Sequence, residues 1–365
     1  MSLISKVKRY CRGLVEAFYG NYDASRRAKK ANRHAYRLSH AELTKREKDA
    51  IKELWGNWGG KYWSFQFYKS FCGTFNVQYV PDDYYDYAEH VLNLRWAAFF
   101  LQHKCMLKYL LPAANRPKPI VQKIDGHYVT EDNEEITQDE ALSLLKKQSV
   151  FIAKDALGPG GGKRVCKVDL QKDGVEELND ILKWHDITFE EIVVQHEFMA
   201  QLNPDSVNTI RFVTLNINQR CSVLSAFVRM GAQGSFVDNL SGGNGVLVGV
   251  NQDGMFNAFG VDKHFTKQYQ SPTGVSLGGL QIPDYEKIKS QITAFHQHIP
   301  FANLIGWDIA IDKNGEPVVL EINLDSALVE AHQVFNGPIF GDRLSEVMQY
   351  INERKPSLRH SYITY

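Results

Sequence analysis

Three stretches of the sequence carry side chains whose types and spacing can do chemistry. The first runs Ile305-Gly306-Trp307-Asp308-Ile309-Ala310-Ile311, then Asp312-Lys313-Asn314-Gly315-Glu316, then Pro317-Val318-Val319-Leu320-Glu321-Ile322-Asn323. Asn-Gly between apolar runs is the strongest short hairpin signal. With Asn314-Gly315 as the loop, Ile311 opposes Val318 and Asp308 opposes Glu321. Opposed side chains share a sheet face, and Asn323, two residues beyond Glu321, shares it too. Two carboxylates and an amide oxygen therefore converge. Opposed like charges destabilise a sheet unless something compensates. A hard cation with oxygen ligands, Mg²⁺ first among them, would compensate. The alternative is a pair of solvated acids, which the apolar runs on both sides disfavour.

The second stretch is Phe151-Ile152-Ala153-Lys154-Asp155, a glycine-rich loop that includes Gly158, Gly160, Gly161, Gly162 and Lys163, and a second strand-like run from Val165 to Val168. Glycines let backbone N–H groups wrap an anion closely, and Lys154 and Lys163 add positive charge. The spacing is not that of a P-loop. Gly158 and Gly162 stand one residue too close, Arg164 replaces the hydroxyl residue, and a strand follows where a helix should begin. A hairpin closing over phosphates fits the pattern, and so does an ordinary surface turn.

The third stretch lies between them. Ile192-Val193-Val194-Gln195 reads as a buried strand that exits into His196-Glu197-Phe198. Such an exit can offer backbone groups to a base and Glu197 to a ribose, or can be a plain strand end. Asn208-Thr209-Ile210-Arg211-Phe212-Val213 alternates as a strand and sets Arg211 among apolar neighbours. There it needs an anionic partner, either a structural acid or a bound phosphate. Asp238-Asn239 precedes a second glycine-rich loop around Gly242-Gly243-Asn244-Gly245. His296 and His298 read as a solvated pair, with no Cys or acidic spacing that would make them metal ligands.

These groups must be held by elements, and their texture changes along the chain. Residues 1–50 hold 13 Lys/Arg against 5 Asp/Glu, and the remainder 29 against 37. Leu3, Ile4, Val7, Cys11, Leu14, Val15 and Phe18 fall at helical spacing, with Lys6, Lys8, Arg9 and Arg12 mostly opposite. A basic amphipathic helix can touch an anionic membrane surface or pack on its own protein with a solvated basic face. Residues 39–112 read as helical, with Ser39 as a cap, a dense group of Trp55, Trp58, Trp63, Phe65, Phe67 and Tyr68, and a buried helix from Trp96 to Leu111. The aromatic group suits core packing or a stacking surface. From Pro119 the chain turns β-rich. Asp125-Gly126 marks a hairpin, and Thr137 with Glu140 forms a capping box. The predicted organisation is a helical region over 1–112, a small lobe with the glycine-rich loop over 113–195, and a large lobe with the carboxylate hairpin over 196–365.

Composition narrows the functional class. The 365 residues exceed one compact core. The 42 Lys/Arg balance 42 Asp/Glu, which argues against a nucleic-acid binder. The five scattered cysteines read as reduced thiols. No apolar run spans a bilayer and no signal-peptide pattern opens the chain, so a cytoplasmic location, reaching the inner face of the membrane through the basic helix, is expected.

The order of motifs resembles the ATP-grasp superfamily: a lysine strand with a glycine-rich loop, a linker strand, an arginine strand and a final Asp…Glu-x-Asn hairpin. The wording of Val207-Asn208-Thr209-Ile210-Arg211, Asp238-Asn239, Ile305-Gly306-Trp307-Asp308-Ile309 and Leu320-Glu321-Ile322-Asn323 is similar to its sugar-transfer-associated branch, over about residues 95–350. The resemblance implies an α+β fold with two lobes clamping ATP. It implies that Lys104, Lys154, Lys163 and the loop glycines Gly160, Gly161 and Gly162 contact phosphates, and that Gln195, Glu197 and Phe198 line the nucleoside. It implies that Asp308, Glu321 and Asn323 hold Mg²⁺, and that Arg211 and Asn208 stabilise the transferred phosphoryl group. His103 stands before Lys104 where relatives usually carry Asp, and Asn244-Gly245 interrupts the usual Asp-Asn-glycine wording. The implied activity is an ADP-forming carboxylate–amine ligase acting on a small or sugar-linked substrate of bacterial surface polysaccharides. The alternatives are a kinase of a sugar or small hydroxyl compound, and a non-catalytic nucleotide- or glycan-binding module.

Overall fold

The computed structural model describes residues 40–58, 62–157, 164–172, 174–236, 243–325 and 328–361. The basic N-terminal stretch, Ser39, the loop glycines with Lys163, and Asp238-Asn239 all lie outside these residues.

Two antiparallel sheets carry the fold. The smaller contains β1 (Pro119–Ile124), β2 (His127–Val129), β3 (Glu135–Ile136), β4 (Val150–Asp155), β5 (Val165–Asp169) and β6 (Ile187–Glu190), in the order β3-β2-β1-β6-β4-β5. The larger contains β7 (Thr209–Ile217), β8 (Arg220–Met230), β9 (Val246–Val250), β10 (Phe256–Val261), β11 (Lys267–Gln268), β12 (Leu304–Ile311) and β13 (Pro317–Asn323), in the order β11-β10-β9-β8-β7-β12-β13.

The small sheet has its own core. Val121, Phe151, Ala153 and Phe189 pack against Ala141 and Leu145 of the helix Gln138–Lys146 and Leu178 and Ile181 of the helix Gly174–Ile181. The β1–β2 turn is the one Asp125-Gly126 calls for, with φ +50° and +83°. Thr137 and Glu140 close the capping box as expected.

The large sheet is covered on both faces, and side-chain alternation sorts its residues between them. Ile210, Phe212, Ile305, Trp307 and Ile309 face the helix Tyr285–His298. Val213, Leu215 and Leu304 face the other way, into a core shared with Trp55, Phe65, Phe67, Tyr68 and Leu92 of the N-terminal helices and Val347 and Ile351 of the C-terminal helix. The aromatic group is thus core packing, with Tyr68 stacked on Tyr79 at 4.4 Å.

Two expected helices differ. The first begins at Lys45, not near Ser39, because Thr44 and Glu47 form the capping box there. The Trp96–Leu111 helix is broken into Arg95–Leu101, a 3₁₀ turn at Lys104–Met106 and Leu107–Leu110. The break frees the Lys104 N–H to donate to the Ala156 carbonyl of the small-sheet region at 3.1 Å.

Candidate active site

The carboxylate hairpin forms with Asp308 opposite Glu321, by a route the sequence pattern did not show. The turn is one residue longer than Asn314-Gly315 alone: Asp312 N–H bonds to Glu316 O, and Gly315 takes φ +82°. That pairs Ile311 with Pro317 and Ala310 with Val318, and a bulge on β13 beyond Val319 restores the register at Asp308–Glu321 and Gly306–Asn323.

The charge of Asp308 is compensated from within the protein. It is 2% exposed, and Arg211, 3% exposed on β7, donates to it from Nε at 2.5 Å and Nη2 at 2.9 Å. Arg229 of β8 approaches the same carboxylate at 3.4 Å. Burial alone would raise the Asp308 carboxyl, but the two guanidiniums, Arg211 foremost, more than offset this and hold it well below the usual carboxylate range. Of the two partners the sequence left open for Arg211, the structural acid is the one present. Burial and the Asp308 charge raise Glu321 above its ordinary value, opposed by Lys104, whose Nζ lies 3.4 Å from Glu321 Oε2.

Lys154, on β4 of the small sheet, meets Glu190 of β6 at 2.7 Å, both largely buried. The Thr188 hydroxyl donates to the other Glu190 oxygen at 3.2 Å. Arg164 pairs with Asp155 at 2.7 Å and closes the base of the loop.

Asn208 is a correction. It is fully buried, and its Nδ2 donates to the Met199 and Asn203 carbonyls at 2.7 and 2.8 Å and to Gln195 Oε1 at 3.1 Å. Gln195 Nε2 in turn donates to the Asn203 and Ser206 carbonyls. Both amides knit the strand exit to the start of β7, so neither side chain is presented to a ligand. Glu197 does lie exposed, at the start of the helix Glu197–Leu202, which His196 caps through the Phe198 N–H. Phe198 packs edge-on against Phe256. The buried strand expected over 192–195 does not form: the strand ends at Glu190, Gln195 alone bridges to Asp312, and Ile192 and Val194 are exposed.

His296 is a second correction, since it is buried rather than solvated. Trp307 Nε1 donates to the Thr214 hydroxyl at 2.7 Å, that hydroxyl donates to His296 Nδ1 at 2.6 Å, and His296 Nε2–H donates to the Ala302 carbonyl at 3.0 Å. This chain satisfies a neutral ring, and burial lowers its pKa to about 4. His298 is exposed.

Arg229 escaped the sequence reading. The signal was there in Ala226-Phe227-Val228-Arg229-Met230, a lone arginine in an apolar strand, the same pattern that drew attention to Arg211. Glu190 escaped because its partner Lys154 lies on another strand.

The donor set fits Mg²⁺ in part. Among the described residues no group of three or more His, Cys, Asp or Glu side chains is placed to hold a metal. Asp308 is saturated by arginines. The Asn323 Nδ2 is buried without a hydrogen-bond partner, which asks for an acceptor rather than a cation, and the Glu321 side chain beside it is 30% exposed. One carboxylate and one amide oxygen, completed by phosphate and water, is a set Mg²⁺ accepts.

Two antiparallel sheets facing a cluster of lysines, arginines and carboxylates define an ATP-grasp fold. Residues 177–349, just under half of the chain, match the family described as sugar-transfer associated ATP-grasp. Similar solved structures include the ATP-grasp ligase PsnB complexed with a minimal precursor (14% identity over 71% of this chain and 64% of that one, TM-score 0.40). Others are the D-alanine-D-alanine ligase from Coxiella burnetii (10%, 72% and 62%, 0.39) and the L-amino acid ligase from Bacillus licheniformis (15%, 68% and 50%, 0.38). The chain spans less than two thirds of the length of each. No curated protein matches it.

Proposed function

We propose that the chain is an ATP- and Mg²⁺-dependent, ADP-forming ligase that joins a carboxylate to an amine during assembly or modification of a bacterial surface polysaccharide. The observation that carries this reading is the meeting of Lys104, whose N–H is tied to Ala156 of the small-sheet region, with Glu321 of the large sheet, which shares the hairpin of Asn323 and the Arg211–Asp308–Arg229 cluster.

Each group then has a task. Lys154 and Lys104 exchange their carboxylate partners for nucleotide phosphates, to which Gly160, Gly161, Gly162 and Lys163 add backbone N–H groups and charge. Glu321 and Asn323 would hold Mg²⁺, which when bound neutralises charge on the phosphates. Asp308 positions Arg211 and Arg229 and keeps their charge beside the reacting group. A carboxylate oxygen of the substrate attacks the γ-phosphorus, the bond to the bridging oxygen breaks, and ADP leaves. An amine then attacks the acyl carbon, forming the C–N bond as phosphate departs and nitrogen loses a proton. Glu197 faces the ribose, and the backbone around Gln195 and Val194 faces the base.

The organisation proposed is a helical region over 1–112, a small lobe over 113–195 and a large lobe over 196–365. No helix among the described residues is long and apolar enough to cross a membrane. The basic N-terminal stretch supplies a peripheral contact with anionic lipid at the cytoplasmic face.

A thermal-shift titration with ATP, ADP and AMP, with and without Mg²⁺, tests the reading. A ligand that binds only the folded state raises its stability. The expected result is a Mg²⁺-dependent shift with ATP that Glu321→Gln combined with Asn323→Ala abolishes. Absence of any shift at millimolar ATP sinks the nucleotide site. A stable phosphoester as product, in place of a nitrogen adduct, sinks the ligase.

A further inference from the structure

β13 carries both residues assigned to Mg²⁺, and it is the last strand of the large sheet, with β12 as its strand partner among the described residues. An edge strand has a row of backbone groups that no further strand holds. Here two of them are held by residues from outside the sheet. The Val319 N–H donates to the Asn115 carbonyl at 2.9 Å, and the Leu324 N–H donates to Gln102 Oε1 at 3.0 Å. Glu321 and Asn323 lie between these two ties.

The Leu324 N–H belongs to the peptide plane that starts at the Asn323 carbonyl, so the Gln102 bond fixes how the Asn323 backbone leaves the sheet. The next carbonyl, that of Leu324, accepts from Asn93 Nδ2 at 2.7 Å. The same nitrogen donates to the Leu304 carbonyl at 2.7 Å, and Asn93 Oδ1 accepts from the Asn303 and Leu304 N–H groups at 3.0 Å each. Asn93 is 2% exposed, and its amide uses both donors and both acceptor positions. It therefore clamps the start of β12 to the chain leaving β13, where the ladder stops at the Gly306–Asn323 pair. Both clamping side chains come from the helical region. Asn93 ends the helix Asp82–Leu92, and Gln102 ends the helix Arg95–Leu101, two residues before Lys104. The short stretch that brings an ammonium to Glu321 thus also holds the backbone beside Asn323. No protein group bonds to Asn323 Nδ2, so the aim of that amide depends on its backbone.

We propose that Gln102 is a positioning residue for the Mg²⁺ subsite, with Asn93 fixing the frame behind it. The proposal rests on the ligase reading, which gives Glu321 and Asn323 to the metal, and deepens it by naming what sets their spacing. A carboxylate and an amide two residues apart share one cation when the backbone that carries them is held in one conformation. Gln102 supplies that hold at the end where the strand ladder no longer does.

The test is calorimetric titration of the full chain with ATP, once with Mg²⁺ and once in EDTA. The readout is the ratio of the two affinities, because a side chain that only stabilises the fold moves both alike or neither. Gln102→Met keeps the length of the side chain and loses the acceptor. It is expected to cut the ratio about tenfold and to leave the affinity in EDTA unchanged. Gln102→Glu keeps an oxygen for the Leu324 N–H and is expected to hold the ratio at the wild-type value or above. If Gln102→Met does not fold, as its unfolding curve reports, Gln102→Ala decides in its place. An unchanged ratio in the folded variant, an equal loss with and without Mg²⁺, the same fall of the ratio in Gln102→Glu, or failure of both Gln102→Met and Gln102→Ala to fold overturns the positioning role. Wild-type protein that binds ATP no more tightly with Mg²⁺ than in EDTA sinks the metal assignment and the ligase reading, and this proposal with them. A wild-type gain from Mg²⁺ that Gln102→Met retains removes Gln102 alone, so the two failures are distinct.

Discussion

Asp308 and Arg211 neutralise each other almost out of contact with water, and that makes their pairing a matter of stability as well as chemistry. Asp308→Ala leaves two guanidiniums facing a gap. Removing one partner of a buried pair costs about 3–5 kcal/mol, so a urea titration should show a midpoint far below wild type. The sign of its pH dependence follows from the depressed carboxyl. The stabilisation is complete above pH ~4, the unfolded value, and fades only as pH falls below it toward the lower folded value. His296 behaves differently. Its folded pKa of about 4 lies beneath the ordinary ~6.5, so its contribution is complete above ~6.5 and drains away between there and about 4. The linked stability is about 3 kcal/mol. His296→Gln should flatten the difference in denaturation midpoint between pH 7 and pH 4; an unchanged slope would refute the neutral buried ring. Both residues were visible in the sequence, but their partners were not. Spacing set Asp308 opposite Glu321, yet strand alternation cannot say whether a metal or a neighbouring strand's arginine balances the charge. Thr214 and Ala302, which settle His296, are distant in sequence or on a turn.

At the scale of elements, what is encoded locally was legible and what depends on a distant partner was not. The Asp125-Gly126 turn and the Thr137 capping box need only their own few residues. The helix expected over 96–111 is broken before Lys104, whose freed N–H is satisfied by the Ala156 carbonyl some fifty residues on, a partner that periodicity cannot register. The carboxylate hairpin shows two departures cancelling, a longer turn and a bulge, so the pairing that mattered came out as expected through a different local geometry. The amide knot at the strand exit gives a prediction of its own. Asn208→Ala takes the side-chain donor from the buried Met199 carbonyl and one of two donors each from the Asn203 carbonyl and Gln195 Oε1, a loss of about 1–3 kcal/mol for the unsatisfied group. Thermal unfolding should show a large drop. If Asn208→Ala were as stable as wild type while losing ATP binding, Asn208 would be a ligand contact and not a structural tie.

Among the described residues the molecule is held by four apolar cores that do not follow its linear order. The small sheet packs on its own helices, whereas the N-terminal helices share a core with β7, β12 and the last helix. A chain lacking residues 1–112 would expose Val213, Leu215 and Leu304 to water and should aggregate or lose cooperative unfolding in calorimetry; a monomeric, cooperatively melting fragment would show that this region is an appendage. Helical periodicity showed that residues 39–112 were packed against something, but not that the partner was the site-bearing face of the large sheet. One residue is tied in both directions. Lys104 holds the small-sheet region by its backbone and Glu321 on β13 by its side chain. It is therefore a gauge of the gap between the two sheets. If the cleft widens, one of its two ties must lengthen, and a triphosphate that draws the ammonium away from Glu321 loosens the latch as it arrives. Occupancy and aperture become a single variable. In Lys104→Met they should separate: the scattering-derived radius would no longer respond to ATP, even at concentrations that saturate the variant.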